Sequence, residues 1–161
     1  MTPLWYFAYG SNLCAATFCT RRGMRPLAVE RARLPGWKLV FDLPVGPGER
    51  GVANLSADEA AVTWGVCYLL DVESCALLDR TEGVHVGYYE RLAVEVVADQ
   101  DRRLAAFAYR GSRTAPDRRP SARYIDLLIT GAREHTLPAE WIAHLERFPL
   151  AVDERNGSRV R

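Results

Sequence analysis

The chain has 161 residues, a length that suits one domain, and with 48% hydrophobic and 25% charged residues it can build a core. A formal net charge of +1 excludes a whole-molecule field that would select nucleic acid or an anionic membrane, and no stretch reaches the roughly 18 unbroken apolar residues of a membrane span. The opening MTPLWYFAYG lacks the basic region of a signal peptide, so a cytoplasmic location is expected.

Residues 4–9 read as a first strand that stops at Gly10-Ser11-Asn12, after which a helical turn can begin. Pro35 and Gly36 are expected to break the chain before a second strand, WKLVFDL (37–43). LPVGPGER (43–50), with two prolines and two glycines in eight residues, is expected as a loop, and GVANL (51–55) as a short strand. TWGVCYLL (63–70) has the period of two of a strand with one buried face. DVESCALLDRT (71–81) changes to helical spacing and is interrupted at Glu82-Gly83. YYERLAVEVV (88–97) alternates as a strand with one wet face, and LAAFAYR (104–110) returns after the charged turn DQDRR, so a hairpin is expected.

GSRTAPDRRP (111–120) reads as a loop. Ser121 can cap a helix through RYIDLLITGAR, with Gly131 near its end, and Pro138 fits the first turn of a last helix, PAEWIAHLERF. The chain thus reads as one domain over residues 1–150, followed by a polar, flexible tail, residues 151–161. No internal repeat is visible. About six strands come mostly first and helices mostly last, which argues for an α+β fold with a largely antiparallel sheet.

Three stretches could carry chemistry. Small and polar residues after a buried strand, Gly10-Ser11-Asn12, let backbone N–H groups point outward to a carboxylate or oxyanion, and the Asn12 amide can donate too. A plain turn with a helix cap accounts for the same residues. Glu82, beside Gly83 and close to Tyr88 and Tyr89, could be a carboxylate whose pKa is raised by apolar surroundings for general acid or base work; a solvated loop glutamate is the alternative. The segment from Arg110 to Arg123 holds five arginines and one aspartate, which raises RNA binding, although no aromatics are interleaved; a solvated loop, with some arginines rimming a pocket for an anionic substrate, is the other option.

Other signals are weaker. Cys14, Cys19, Cys67 and Cys75 form no CxxC pair, so no metal site is expected and they read as buried small apolar residues. His85, three residues after Glu82, lies beyond Gly83, which spoils a helical metal spacing. Lys38 is the only lysine in an alanine-rich chain, consistent with a GC-rich bacterial coding bias.

In their order, these pieces resemble the γ-glutamylcyclotransferase (AIG2-like) family. The family's opening signature stands as Tyr9-Gly10-Ser11-Asn12-Leu13, and its second as Trp64-Gly65-Val66, Leu77-Leu78-Asp79 and Glu82-Gly83 with Gly87 and Tyr89. A third stands as Pro120-Ser121, Tyr124, Gly131-Ala132, Glu134 and Leu137-Pro138, so that the resemblance spans residues 4 to 148. It implies a small mixed barrel with flanking helices and a pocket at one mouth. Carried onto this sequence, Glu82 falls on the acid/base glutamate. Tyr6, Tyr9, Gly10, Ser11 and Asn12 fall on the substrate loop and its strand, and Tyr89, Tyr109 and Tyr124 on pocket tyrosines. Asn12 and the intact third signature resemble the branch that is neither glutathione-specific nor γ-glutamylamine-specific.

The reaction that the resemblance implies is ring closure of a γ-glutamyl amide to 5-oxoproline with release of an amine or amino acid. Nucleophile and electrophile lie in one small molecule, so no cofactor is called for, and the expected partner is that γ-glutamyl substrate rather than nucleic acid or a membrane. A homodimer is left open. A non-catalytic module that binds γ-glutamyl-like molecules on the same scaffold is the rival, and the segments 43–50 and 111–120 are expected to line the side of the pocket that holds the leaving group.

Overall fold

Two long strands build most of the sheet. The computed structural model describes residues 2–152, and in it β2 (Ala28–Pro44) and β3 (Gly51–Leu70) pair antiparallel from Ala28↔Leu69 to Pro44↔Gly51. β1 (Leu4–Ala8) lies antiparallel to β3, with Tyr6 opposite Tyr68, and parallel to β5 (Arg103–Arg110), with Tyr6 beside Phe107. β4 (Glu90–Ala98) pairs with β5 along its length and with β2 at Ala32↔Ala98. The strands close into a barrel in the order β1-β3-β2-β4-β5. The parallel β1–β5 seam makes it mixed; every other pairing is antiparallel.

This corrects the expected six strands to five. Pro35-Gly36 does not end a strand: the register shifts between Pro35 and Trp37, Gly36 takes a φ of +87°, and β2 continues through the irregularity. A proline lacks the ladder N–H, and a bulge absorbs that loss without ending the pairing. The two short strands expected at 51–55 and 63–70 belong to one, β3: Ser56 and Ala57 pair with Lys38 and Trp37, Val62 pairs with Pro35, and residues 58–61 span the register shift between them. The expected loop 43–50 is shortened to the turn between Pro44 and Gly51, closed by Val45 N–H to the Arg50 carbonyl.

The helices follow the capping chemistry. The Asp71 carboxylate accepts Ser74 N–H (2.7 Å) at the start of α1 (Val72–Glu82), and Ser121 Oγ accepts Tyr124 N–H (3.1 Å) at the start of α2 (Ala122–Glu134). α1 ends where Gly83 adopts φ +73°, ψ +33°, a left-handed conformation that glycine enters without steric cost. The helix therefore runs to Glu82 and stops. α3 (Ala139–Glu146) starts after Pro138. Gly131 stands near the end of α2 as expected, still inside the helix, where an added Cβ would sit 2.5 Å from Leu13. Its role is to let α2 press against the loop that follows β1.

In the core Phe7, Phe18, Tyr68, Leu34 and Leu55 are buried, and the Phe18 and Tyr68 rings stack at 4.1 Å. Cys14, Cys67 and Cys75 are buried as expected, but Cys19 is exposed. It sits in a π-helix, Ala16–Arg21, that turns Thr17 and Phe18 inward instead. The arginines of the basic segment are partly tied down: Arg110 donates to the Leu55 carbonyl (3.0 Å), and Arg118 to the carbonyls of Gly46 (3.1 Å) and Arg50 (2.9 Å). Ala151 N–H bonds Pro120 O and Val152 N–H bonds Glu49 Oε2, so the first two residues of the expected tail are pinned; residues 153–161 lie outside the described residues. Among the described residues no helix is long and apolar enough to cross a membrane.

Candidate active site

Where β1 ends, the backbone enters a 3-10 turn, Ser11–Leu13, at one mouth of the barrel. The first N–H groups of such a turn have no carbonyl behind them within the turn, so they face whatever lies beyond its start. The turn is clamped from below. Tyr68 OH donates to the Asn12 carbonyl (2.8 Å), His135 Nε2 lies 3.1 Å from the Leu13 carbonyl, and Gly131 packs against Leu13. Gly10 sits at the tightest point, where an added Cβ would be 3.1 Å from the Tyr124 hydroxyl and 3.2 Å from Ala53.

Opposite this turn, α1 delivers Glu82 on its last residue. Together they enclose a cavity of about 50 Å³. Tyr6, Tyr9, Gly10, Ser11, Asn12, Glu82, Tyr89, Tyr109 and Tyr124 line it. Every site residue read from the sequence is in this wall. Ala53 is the one lining residue that was not, since a small residue inside a strand carries no signal.

Glu82 is held by a single short path. Asn12 Nδ2 donates to Glu82 Oε1 (3.1 Å) and to the Tyr6 hydroxyl (2.9 Å). Both amide hydrogens are thereby used, so Asn12 orients the carboxylate rather than donating to a ligand, which corrects the expectation for it. Its Oδ1 is buried without a hydrogen-bond partner. Burial pushes the Glu82 carboxyl above its ordinary range, while the Arg22 charge and the Asn12 bond pull the other way. Position at a helix C-terminus, the negative end of the macrodipole, also disfavours the anion. The net direction for the carboxyl is upward.

The tyrosines divide by where their protons go. Tyr9 OH donates to the Tyr109 carbonyl (2.5 Å), and Tyr109 OH donates to Asp79 Oδ1 (2.5 Å). Those two are structural donors. Tyr6 accepts from Asn12, and Tyr124 accepts from Ala53 N–H (3.1 Å) and lies against Ser11, so each keeps its own O–H to offer inward. Burial, aided by the Glu82 charge, pushes the Tyr6, Tyr89 and Tyr124 phenols up, Tyr124 to about 12. All three stay protonated near neutrality.

Two contributors escaped the sequence. Arg22, at the end of the π-helix, is the positive charge nearest in effect to Glu82, and nothing in its neighbourhood marks it. Asp79 accepts from Tyr109 and pairs with Arg91 Nε (2.9 Å), fixing one wall of the cavity. It stands three residues before Glu82 on a helix, and that spacing, which places both carboxylates on one face, was the available clue. Among the described residues no three His, Cys, Asp or Glu side chains converge as a metal site would require.

Comparison with known proteins agrees with this arrangement. Residues 62–145 match the AIG2-like family. The chain is 31% identical over 144 residues to a γ-glutamylcyclotransferase of Bos taurus, with 84% of this chain and 73% of the bovine one covered. To the γ-glutamylcyclotransferase of Homo sapiens it is 30% identical over 152 residues, with the same shares covered. A solved structure of a γ-glutamyl cyclotransferase superposes with a TM-score of 0.81 at 25% identity, covering 92% of this chain and 89% of that one. A barrel of this topology, a YGSN turn facing a half-buried helix-terminal glutamate, and relatives of this similarity lead to one conclusion: the chain belongs to the γ-glutamylcyclotransferase (AIG2-like) family of enzymes.

Proposed function

We propose that the protein cyclises a γ-glutamyl amide to 5-oxoproline and releases an amine or amino acid, with Glu82 as the general acid and base. The observation that carries this is the Asn12–Glu82 hydrogen bond, which aims a half-buried carboxyl with a raised pKa into the cavity formed by the Gly10–Asn12 turn.

The substrate's α-amine is mostly ammonium near pH 7. Glu82 takes one of its protons. The freed nitrogen attacks the γ-carbonyl carbon of the same molecule, forming a new C–N bond and a tetrahedral oxyanion. Collapse breaks the old amide C–N bond as Glu82 passes its proton to the departing nitrogen; the ring nitrogen gives up its second proton to the departing amine, which leaves as an ammonium, and the Glu82 carboxylate is regenerated. Turn N–H groups at Gly10–Asn12 and the hydroxyls of Tyr6, Tyr89 and Tyr124 bind the substrate carboxylate and the oxyanion.

A positioned acid/base contributes about 10²–10⁴-fold. The small cavity supplies the rest by holding the flexible glutamyl chain bent, because well-oriented intramolecular attack reaches effective molarities of roughly 10⁵–10⁸ M. Purified protein incubated with γ-glutamyl amides should release 5-oxoproline, and E82Q should not. Wild-type release rates from folded E82Q would remove Glu82 from the mechanism; binding without any product would make the chain a binding module.

A further inference from the structure

Beside the catalytic cavity lies a larger groove of about 580 Å³, and Glu82 and Tyr89 line both. Another adjoining cavity, bordered by Arg21 and Ser121, shares Ser11 and Tyr124 with the site but not Glu82. In the proposed reaction, on which this inference rests, the proton on Glu82 must reach the leaving nitrogen. The leaving group therefore extends from Glu82, and only the first of these two spaces begins there.

The groove has a definite chemistry. Leu43, Val52, Val86 and Tyr88 give it apolar walls. Arg80, His85 and Arg113 border it against one carboxylate, Glu82 itself. The wall from Gly83 to Tyr88 is a turn bracketed by glycines at positive φ, Gly83 and Gly87. Arg113 braces it: Nη2 donates to the Val86 carbonyl (3.1 Å), and the guanidinium lies 5.0 Å over the Tyr88 ring. One N–H is engaged out of the five that a guanidinium carries, and among the described residues no carboxylate pairs with it.

We propose that this groove selects, as leaving group, an α-amino acid with a large apolar side chain. The side chain packs between Val86, Tyr88 and Leu43, and the α-carboxylate is received by the free edge of Arg113. Cationic amines such as polyamines are disfavoured, because the rim already carries Arg80 and Arg113 and repels like charge. Arg113 is thus a specificity-determining residue.

The test compares γ-glutamyl-phenylalanine with γ-glutamyl-phenethylamine, which lacks only the carboxylate, and with γ-glutamyl-glycine, which lacks only the large side chain. The phenylalanine compound should exceed each of the others in kcat/KM by about tenfold or more, mainly through KM, as expected for a charge-assisted hydrogen bond and for buried apolar area. R113M should erase the first ratio and leave the second, and R113K, which keeps charge without the fork, should restore part of the first. Equal kcat/KM for all three on wild type, or a proportionate fall for all three in R113M with an unchanged melting temperature, would overturn the proposal. Calorimetric titration of the same compounds into E82Q separates the two levels. A graded affinity without 5-oxoproline from wild type would sink the cyclisation and keep the groove; 5-oxoproline with ungraded affinity would do the reverse.

Discussion

The catalytic cavity and the groove beside it share Glu82 and Tyr89 but are built in opposite ways. The cavity is walled by strand and helix ends whose hydroxyls and amide are committed to one another: Asn12 to Tyr6 and Glu82, Tyr9 to Tyr109, Tyr109 to Asp79. The groove is walled by a glycine-bracketed turn with Val86 and Tyr88 exposed, braced by one arginine from a loop. Chemistry common to every substrate needs fixed geometry, and sub-ångström preorganisation comes from regular elements with supported side chains. Choice among leaving groups needs only a surface, and a loop can supply one.

Several substitutions would break or sharpen that contrast. The largest effect is expected from E82Q, which should cost about 10²–10⁴-fold in kcat on every γ-glutamyl compound alike, measured by 5-oxoproline release. The same variant should not be less stable. A carboxyl whose pKa is raised by folding contributes most when protonated, and that contribution is lost as pH rises through its folded pKa. Melting temperatures of E82Q should therefore exceed wild type near neutral pH, with the gain vanishing below the ordinary glutamate range; a lower melting temperature at pH 7 would show that burial does not strain Glu82.

G131A should be next. It forces a Cβ to within 2.5 Å of Leu13, and overpacking of this kind costs about 1–3 kcal/mol. The damage should reach the cavity through the Ser11–Leu13 turn, with KM raised for all substrates; a thermal melt equal to wild type would show that α2 does not set the turn. N12A should lose about fivefold in kcat/KM, because Glu82 loses its orienting bond, at the hydrogen-bond scale of about 1 kcal/mol. The ratio between phenylalanine and phenethylamine compounds should stay as it was, and a changed ratio would mean that cavity and groove are not separable.

R22M is the mildest. The Arg22 charge lowers the Glu82 pKa, so its removal should move the acidic limb of the kcat/KM profile to higher pH. A limb that stays in place would show that Arg22 acts on something other than Glu82.

Much of this was legible in the residues. The Ser121 and Asp71 caps, the left-handed stop at Gly83, the β4–β5 hairpin and each residue of the Tyr9–Asn12 turn stand where capping, breaker and alternation rules place them. What escaped has one cause. Pro35-Gly36 was read as a break and residues 51–70 as two strands, because local rules count side-chain pattern, whereas a strand continues as long as a neighbour supplies backbone partners. The packing role of Gly131 was not legible, because its constraint, the nearness of Leu13, is more than a hundred residues away in the chain.

The sequence by itself, through its likeness to the family, picked out residues that line one cavity: a YGSN turn, a glutamate beside a glycine, and four tyrosines. Only the tertiary structure decided how the set divides its labour. It showed that Asn12 spends its amide on Glu82, that Tyr9 and Tyr109 are braces while Tyr6 and Tyr124 keep their protons, and that Arg22 and Arg113 stand beside the site. Hydrogen bonds and charge interactions depend on distance across space, and barrel closure brings together groups that no spacing along the chain records.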